Sequence, residues 1–365
     1  MTYKETLFFI GKCLTISHEE ENLQSVTEQI KTNNVDWDAV VKVSTSHYVF
    51  PALYCNLLRA NLLSYLPQEL VAYMKHITDL NRERNLQIIE QAKEINELLL
   101  KNEITPIFLK GTGNLLSGLY EDVAERMVGD IDFLVSYDDY EKTIKTLNNA
   151  DYSAVYVSKY HFPQFKHYQR IQKEGLIAAI EIHKEMLLEK YADEFNYNTI
   201  KKNHISENDI SFLGYEDQLT LTSIAYQIND AGQYRNSISL RNGYDVFLLS
   251  KKTNTLHSIK RFEKLFYPLN NFLAVCNKTF NSSIPYEETN YTGEYLTVFD
   301  KILSNDNFRK SHSKKINRKL FIKTRLNVIY KSIYKKEYRY WLFKRITDPS
   351  WQKEKMNQLK SKSNS

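Results

Sequence analysis

The tightest constraint on this chain lies at residues 130–135, which read Asp-Ile-Asp-Phe-Leu-Val. A period of two places Asp130 and Asp132 on one face of a strand and sends Ile131 and Phe133 to the other, where a core must receive them. Two carboxylates held that close need a counter-ion. Magnesium suits them, because it takes oxygen ligands and leaves positions open for phosphate oxygens. A second alternating run, Ala178-Ala179-Ile180-Glu181-Ile182-His183, turns Glu181 and His183 to one face and Ile180 and Ile182 to the core. If the two strands pair side by side, Glu181 becomes a third acid at the same place, able to ligate a metal and to help accept a proton.

Upstream, the apolar run Ile107 to Leu109 leads into Lys110-Gly111-Thr112-Gly113 and then a helical stretch, Asn114 to Tyr120. Backbone N–H groups at a helix start favour anions. Gly111 and Gly113 would let a triphosphate approach the backbone, Thr112 adds a hydroxyl donor and Lys110 a point charge. Arg126 is a further candidate for phosphate or acceptor binding. Each residue also has a plainer reading. Acids at a strand end are commonly solvated, Arg126 can pair with Glu121, Asp122 or Glu125, and His183 can complete a hydrogen-bond network. Arg241 and Asp245, one helical turn apart, can satisfy each other. What favours chemistry for the three acids is their order in one chain, a Lys-Gly turn, an Asp-x-Asp strand and a Glu-x-His strand.

The rest of the chain frames this segment. Residues 1–103 read as an N-terminal helical domain, in which Ile88, Ala92, Ile95 and Leu99 recur at helix spacing and Pro51 and Pro67 break the pattern into pieces. Residues 104–205 mix short strands with helices, residues 206–308 return to helical patterning, and 309–365 form a basic, aromatic helical tail. The expected fold is therefore α+β, a small mixed sheet with helices on it, flanked by helical regions. The formal charge of +5 is uneven, since residues 309–365 hold 18 Lys/Arg against 3 Asp/Glu. That tail suits a helix docked on the acidic remainder, a nucleic-acid surface or an anionic membrane surface. Cys13, Cys55 and Cys276 stand far apart with no C-x-x-C pair, which argues against a zinc site or a disulfide framework. No stretch is apolar enough to span a membrane and no signal peptide is read, so a cytoplasmic location is expected.

The run from Phe108 to Val135, FLKGTGNLLSGLYEDVAERMVGDIDFLV, resembles the uncharacterised nucleotidyltransferase family of the DNA polymerase β superfamily, whose members read L-K-G, a helix ending in Leu-Tyr, an Arg, and D-[IL]-D-[FL]-L-V. Ile180-Glu181-Ile182-His183 is similar to its I-E-[IL]-H strand, residues 47–54 to its N-terminal helical segment, and Leu240-Arg241 with Asp245 to its L-R-x-x-x-D pattern. The resemblance implies a polymerase-β-type nucleotidyltransferase core that uses two magnesium ions, with manganese as a substitute, to move a nucleoside monophosphate from a nucleoside triphosphate to an acceptor hydroxyl or amine. ATP is the expected donor. It implies Asp130, Asp132 and Glu181 as catalytic metal ligands and Lys110, Gly111 and Thr112 on the phosphate side, with Gly113 and Arg126 beside them and His183, Arg241 and Asp245 in support. Two alternatives stay open, a catalytically idle binding module and an RNA 3′-end nucleotidyltransferase that uses the tail. The spacer between Gly111-Thr112 and Asp130 is longer than the superfamily's usual one, and a later helix carries Tyr226, Asn229 and Asp230 where family members often have histidines.

Overall fold

The computed structural model describes residues 1–155, 162–163 and 165–353. Four helices, Tyr3–Cys13, Glu20–Lys31, Trp37–Ser46 and Phe50–Arg59, precede a helix of 33 residues, Gln68–Leu100. Pro51 lies in the first turn of one helix and Pro67 caps another. Both prolines therefore start helices, at positions where a missing N–H costs nothing. Ile88, Ala92, Ile95 and Leu99 are all buried, as their spacing requires.

The long helix also carries a buried polar ladder that sets the register of everything after it. Asn81 donates to the Ala124 carbonyl at 2.7 Å and Asn85 to the Arg126 carbonyl at 2.7 Å. Gln91 exchanges two hydrogen bonds with the Ala178 backbone, at 2.9 and 3.0 Å. Asn96 donates to the Asp209 carbonyl at 3.0 Å. Each of these buried amides has its N–H groups engaged by a backbone carbonyl, and so fixes one loop at one height along the helix. The loops at residues 124–126 and at Ala178 lead into the strands that carry Asp130 and Glu181, and Asp209 lies in the turn into β7.

Seven short strands form one mixed sheet: β1 Ile107–Phe108, β2 Asp130–Leu134, β3 Ser153–Ala154, β4 Ile171–Gln172, β5 Ala179–His183, β6 Ile205–Glu207 and β7 Ile210–Phe212, in the spatial order β3-β4-β5-β2-β1-β7-β6. At the centre β2 and β5 run parallel, with Asp130 opposite Ala179, Asp132 opposite Glu181 and Leu134 opposite His183. Ile131, Phe133, Ile180 and Ile182 are fully buried on the other face. The architecture is α+β, mostly helical around a seven-stranded mixed sheet. Two differences from the sequence reading stand out. The strand pair β6 and β7 extends the sheet past residue 205, and the helix after β1 is Lys110–Leu116, beginning four residues before Asn114.

Further helices follow, among them Tyr215–Ile224, Leu240–Ser250, Phe266–Phe280 and Asn290–Ser304. A helical arm, Asp306–Tyr334 and Lys336–Ile346, completes the described chain. The three cysteines are free and buried. Among the described residues no helix is long and apolar enough to cross a membrane. Residues 354–365 of the basic tail, and His161, lie outside the described residues.

Candidate active site

The site opens where β1 ends. Leu109 donates its N–H to the Asp132 carbonyl at 2.9 Å, which ties the strand end to β2. The next residue, Lys110, has φ +51°, a left-handed conformation that costs a side-chain-bearing residue energy and persists only where surroundings enforce it. The enforcement is visible in the two glycines that follow. A Cβ on Gly113 would stand 2.6 Å from the Phe108 carbonyl oxygen, and one on Gly111 would stand 2.9 Å from Val128 Cγ2. Both glycines let this short helix pack directly on β1 and on the loop before β2. Thr112 is buried and donates its hydroxyl to the Asp130 carbonyl at 3.0 Å, so it staples the helix to β2.

The turn at Lys110 points its ammonium at the acids. Nζ lies 2.6 Å from Asp132 Oδ1 and 3.8 Å from Glu181 Oε2. On the far side Arg170 bridges the other two carboxylate contacts, pairing with Asp130 Oδ2 and reaching Glu181 Oε1 at 3.2 Å. Arg170 is placed there by pairing, because β4 runs antiparallel to β5 with Ile171 opposite Ile180. Further along the same segment His167 bridges to His183, a shift of one residue in register, and His167 Nε2 comes within 4.0 Å of Glu181.

His183 is the fourth group facing the acids. Its Nε2 is 2.9 Å from Asp132 Oδ1 and 3.5 Å from Glu181 Oε2, and its Nδ1 is 3.2 Å from the Glu185 carbonyl. A carbonyl only accepts, so a neutral ring spends its single N–H there and turns the Nε2 lone pair to the carboxylates. That is the disposition of a metal ligand held by a backbone carbonyl; a doubly protonated ring would instead donate to both sides. Ligand atoms of Asp132, Glu181 and His183 lie within 4.8 Å of one another, close enough for one ion to touch all three.

The electrostatics divide the acids. Burial opposes the charge on Asp132, yet Lys110 and, when the ring is doubly protonated and donates through Nε2, His183 hold its carboxyl well below the usual range. Burial likewise opposes Glu181, and the His183 hydrogen bond with the Lys110 charge brings it below its ordinary value. Asp130 goes the other way. Burial raises it, and repulsion from Asp132 and Glu181 adds to that against the pull of Arg170. Lys110 stays cationic despite its burial because Asp132 and Glu181 face it.

The remaining sequence candidates do not touch the acids, although Arg126 lies against Gly111, its Cζ 3.8 Å from where a Cβ on that glycine would stand. Arg126 is buried and pairs through Nε with Asp245 Oδ2 at 3.0 Å, while Tyr120 donates to Asp245 Oδ1 at 2.7 Å. Its partner is thus Asp245, neither a neighbouring acid of its own loop nor a group at the centre, and the local Arg241–Asp245 pair does not form. Arg241 instead stacks over Tyr48, 5.0 Å from the ring centroid, and its buried Nε has no hydrogen-bond partner among the described residues. Burial raises the Asp230 carboxyl, and the charges of Lys166, Arg241 and Lys110 pull it down. Arg170 and Lys166 were not foreseen. Arg170 becomes legible only once β4 is known to pair with β5, and a two-residue strand leaves no periodicity to read.

The profile of a family described as uncharacterised nucleotidyltransferase matches residues 33–281. Among curated proteins nothing matches the sequence. Among solved structures, the crystal structure of JHP933 from Helicobacter pylori is similar at 16% identity and a TM-score of 0.29, over 63% of this chain and 97% of that one.

Proposed function

We propose that this chain, which belongs to the uncharacterised nucleotidyltransferase family, moves a nucleoside monophosphate from a nucleoside triphosphate to an acceptor hydroxyl or amine on a polymerase-β-type core. The observation that carries the proposal is the pairing of Asp132 with Glu181 across parallel strands, with Lys110 closing on both. Three acids gathered from two strands beside an ammonium are what an enzyme needs to meet a polyphosphate and a cation together.

Asp132, Glu181 and His183 fit a divalent ion. The carboxylates suit magnesium and the imidazole nitrogen makes manganese at least as suitable. Asp130 is the acid left for a second ion, and Arg170, half exposed, is the group that would give way. A bound cation would supply charge neutralisation and Lewis-acid polarisation at the α-phosphate. The chain's own groups account for the rest. Lys110 is positioned to leave Asp132 for the β and γ phosphates, and Arg170 to leave Asp130 in the same way. In-line attack forms a bond from the acceptor oxygen or nitrogen to the α-phosphorus and breaks the bond to the bridging oxygen. Pyrophosphate leaves, and the acceptor proton passes to a carboxylate, a role assigned to Glu181. ATP is the first donor to try.

A second reading rests on the same contacts. Lys110 and Arg170 already neutralise the acids internally, as a chain kept as a nucleotide-free binding module would also do. Incubating the full chain with magnesium and labelled ATP, CTP, GTP and UTP separates the two. The enzyme reading expects pyrophosphate release that falls by roughly a hundredfold or more in Asp132→Asn and in Glu181→Gln. Turnover in wild type no higher than in those variants would leave only the module.

A further inference from the structure

The arm has two unlike sides. One is anchored to the body. Lys331 and Lys335 both pair with Glu189, Lys323 donates to Tyr234 Oη at 3.2 Å, and Arg235 donates to Asn317 at 2.9 Å. Beyond the bend, Tyr338 and Trp341 pack their rings on Phe162 at 5.6 and 5.0 Å between centroids. Phe162 belongs to the segment that leads to His167 and Arg170, so the arm is tied to the stretch of chain that supplies both to the candidate active site.

The other side is left exposed among the described residues. None of the 29 residues of Asp306–Tyr334 is buried, and the helix carries nine Lys/Arg against one acid, Asp306. Ile322, Leu326, Ile329 and Ile333 are 46%, 60%, 52% and 70% exposed. At 100° per residue these four fall within an arc of about 60°, a continuous aliphatic stripe. Nearer the start of the helix Lys315 falls in the same arc, with Arg318 and Lys319 about 20° to either side of it, all exposed. Tyr330 and Tyr334 flank the stripe at 62% and 55% exposure.

This combination discriminates among partners. Nucleic acid would use the cations and rings but has no use for four aliphatic side chains in line. A second copy would bring nine like charges against nine, and one such stripe offers a few hundred Å² against the roughly 1,200 Å² of a stable interface. An anionic bilayer takes both halves, the aliphatic stripe at the boundary between headgroups and acyl chains and the cations at the lipid phosphates. We propose that the arm Asp306–Tyr334 docks on the surface of an anionic phospholipid membrane, through Ile322, Leu326, Ile329 and Ile333 with Lys315, Arg318 and Lys319. The Phe162 contact then holds the candidate active site close to that surface. Nothing in this proposal depends on the nucleotidyltransferase reading.

The test is flotation of the full chain with vesicles of phosphatidylcholine containing about one third phosphatidylglycerol, and with vesicles of phosphatidylcholine alone. Binding is expected to the anionic vesicles only, to weaken with salt and with added inorganic phosphate only to the extent of its ionic strength, and to fall roughly tenfold or more in Ile329→Asp/Ile333→Asp and in Arg318→Glu/Lys319→Glu. Both variants change exposed residues, and unaltered thermal melting identifies them as folded. The proposal is overturned if the chain does not float with anionic vesicles, or if Ile329→Asp/Ile333→Asp floats as well as wild type. RNA binding without vesicle binding, or a dimer in light scattering that the same double variant dissolves, overturns it in favour of those partners.

Discussion

Lys110 is the residue on which the site turns. Its left-handed backbone would suit glycine better, and a lysine there directs a cation at Asp132 and Glu181 that no ordinary helix start would aim the same way. Arg126 shows the opposite case, a cation used to hold elements together. Its pair with Asp245 is buried on both sides, and Tyr120 completes it. Removing one partner strands a buried charge, so Arg126→Ala is expected to cost about 3–5 kcal/mol in urea unfolding, and Arg126→Met/Asp245→Leu to recover most of that loss. An Arg126→Ala protein as stable as wild type but weaker in nucleotide binding would return Arg126 to the phosphate side. The residues legible in advance were those with a pattern around them: Asp130, Asp132, Glu181 and His183 sit in alternating runs. Arg170 and Lys166 sit in none. The pairing of Arg126 with Asp245, 119 positions apart, is likewise a product of packing that no local spacing announces.

Elements show where local signals yield to tertiary ones. Gly111 and Gly113 argue against helix when read alone, yet Lys110–Leu116 is helical because only glycine fits against Phe108 and Val128. Strands β6 and β7, three residues each, are too short to carry a period and join the sheet through the pairing of β7 with β1. The long helix, in contrast, was readable from its apolar spacing, although its polar ladder was not. Another junction lies between the helices Trp37–Ser46 and Phe50–Arg59, where His47 Nδ1 accepts from the Leu240 N–H at 3.3 Å and Tyr48 takes φ +57°. Burial depresses the His47 imidazole to about 4. The unfolded chain then binds more protons than the folded one between pH 4 and the ordinary histidine range near 6.5. This contribution to stability is complete above that range and is lost as pH falls toward 4. In His47→Gln the urea midpoint is expected to decline less steeply from pH 6.5 to 4 than in wild type. Equal slopes in the two proteins would remove His47 from this account.

At the scale of the whole molecule, charge and architecture are both divided. The first 308 residues are acidic and the last 57 basic, and the basic arm returns along the body to Glu189 and Phe162. The α+β class and the helical flanks were legible from the change in texture near residue 104. A helix docked on the acidic remainder was one reading of the tail, but where it sits was not legible, because that depends on single contacts such as Lys331 with Glu189, 142 positions apart. The centre itself is a product of the entire chain: a helix of the N-terminal half sets the loops, parallel strands bring Asp132 to Glu181, and a bulged segment adds Arg170 and His167. Electron paramagnetic resonance of manganese titrated into the full chain tests the resulting claim, that Asp132, Glu181 and His183 form a cation site, most directly. Saturable loss of the free-ion signal is expected in wild type, weakened in His183→Gln and abolished in Asp132→Asn/Glu181→Gln. Uptake by that double variant equal to wild type, or no uptake by either, would contradict it.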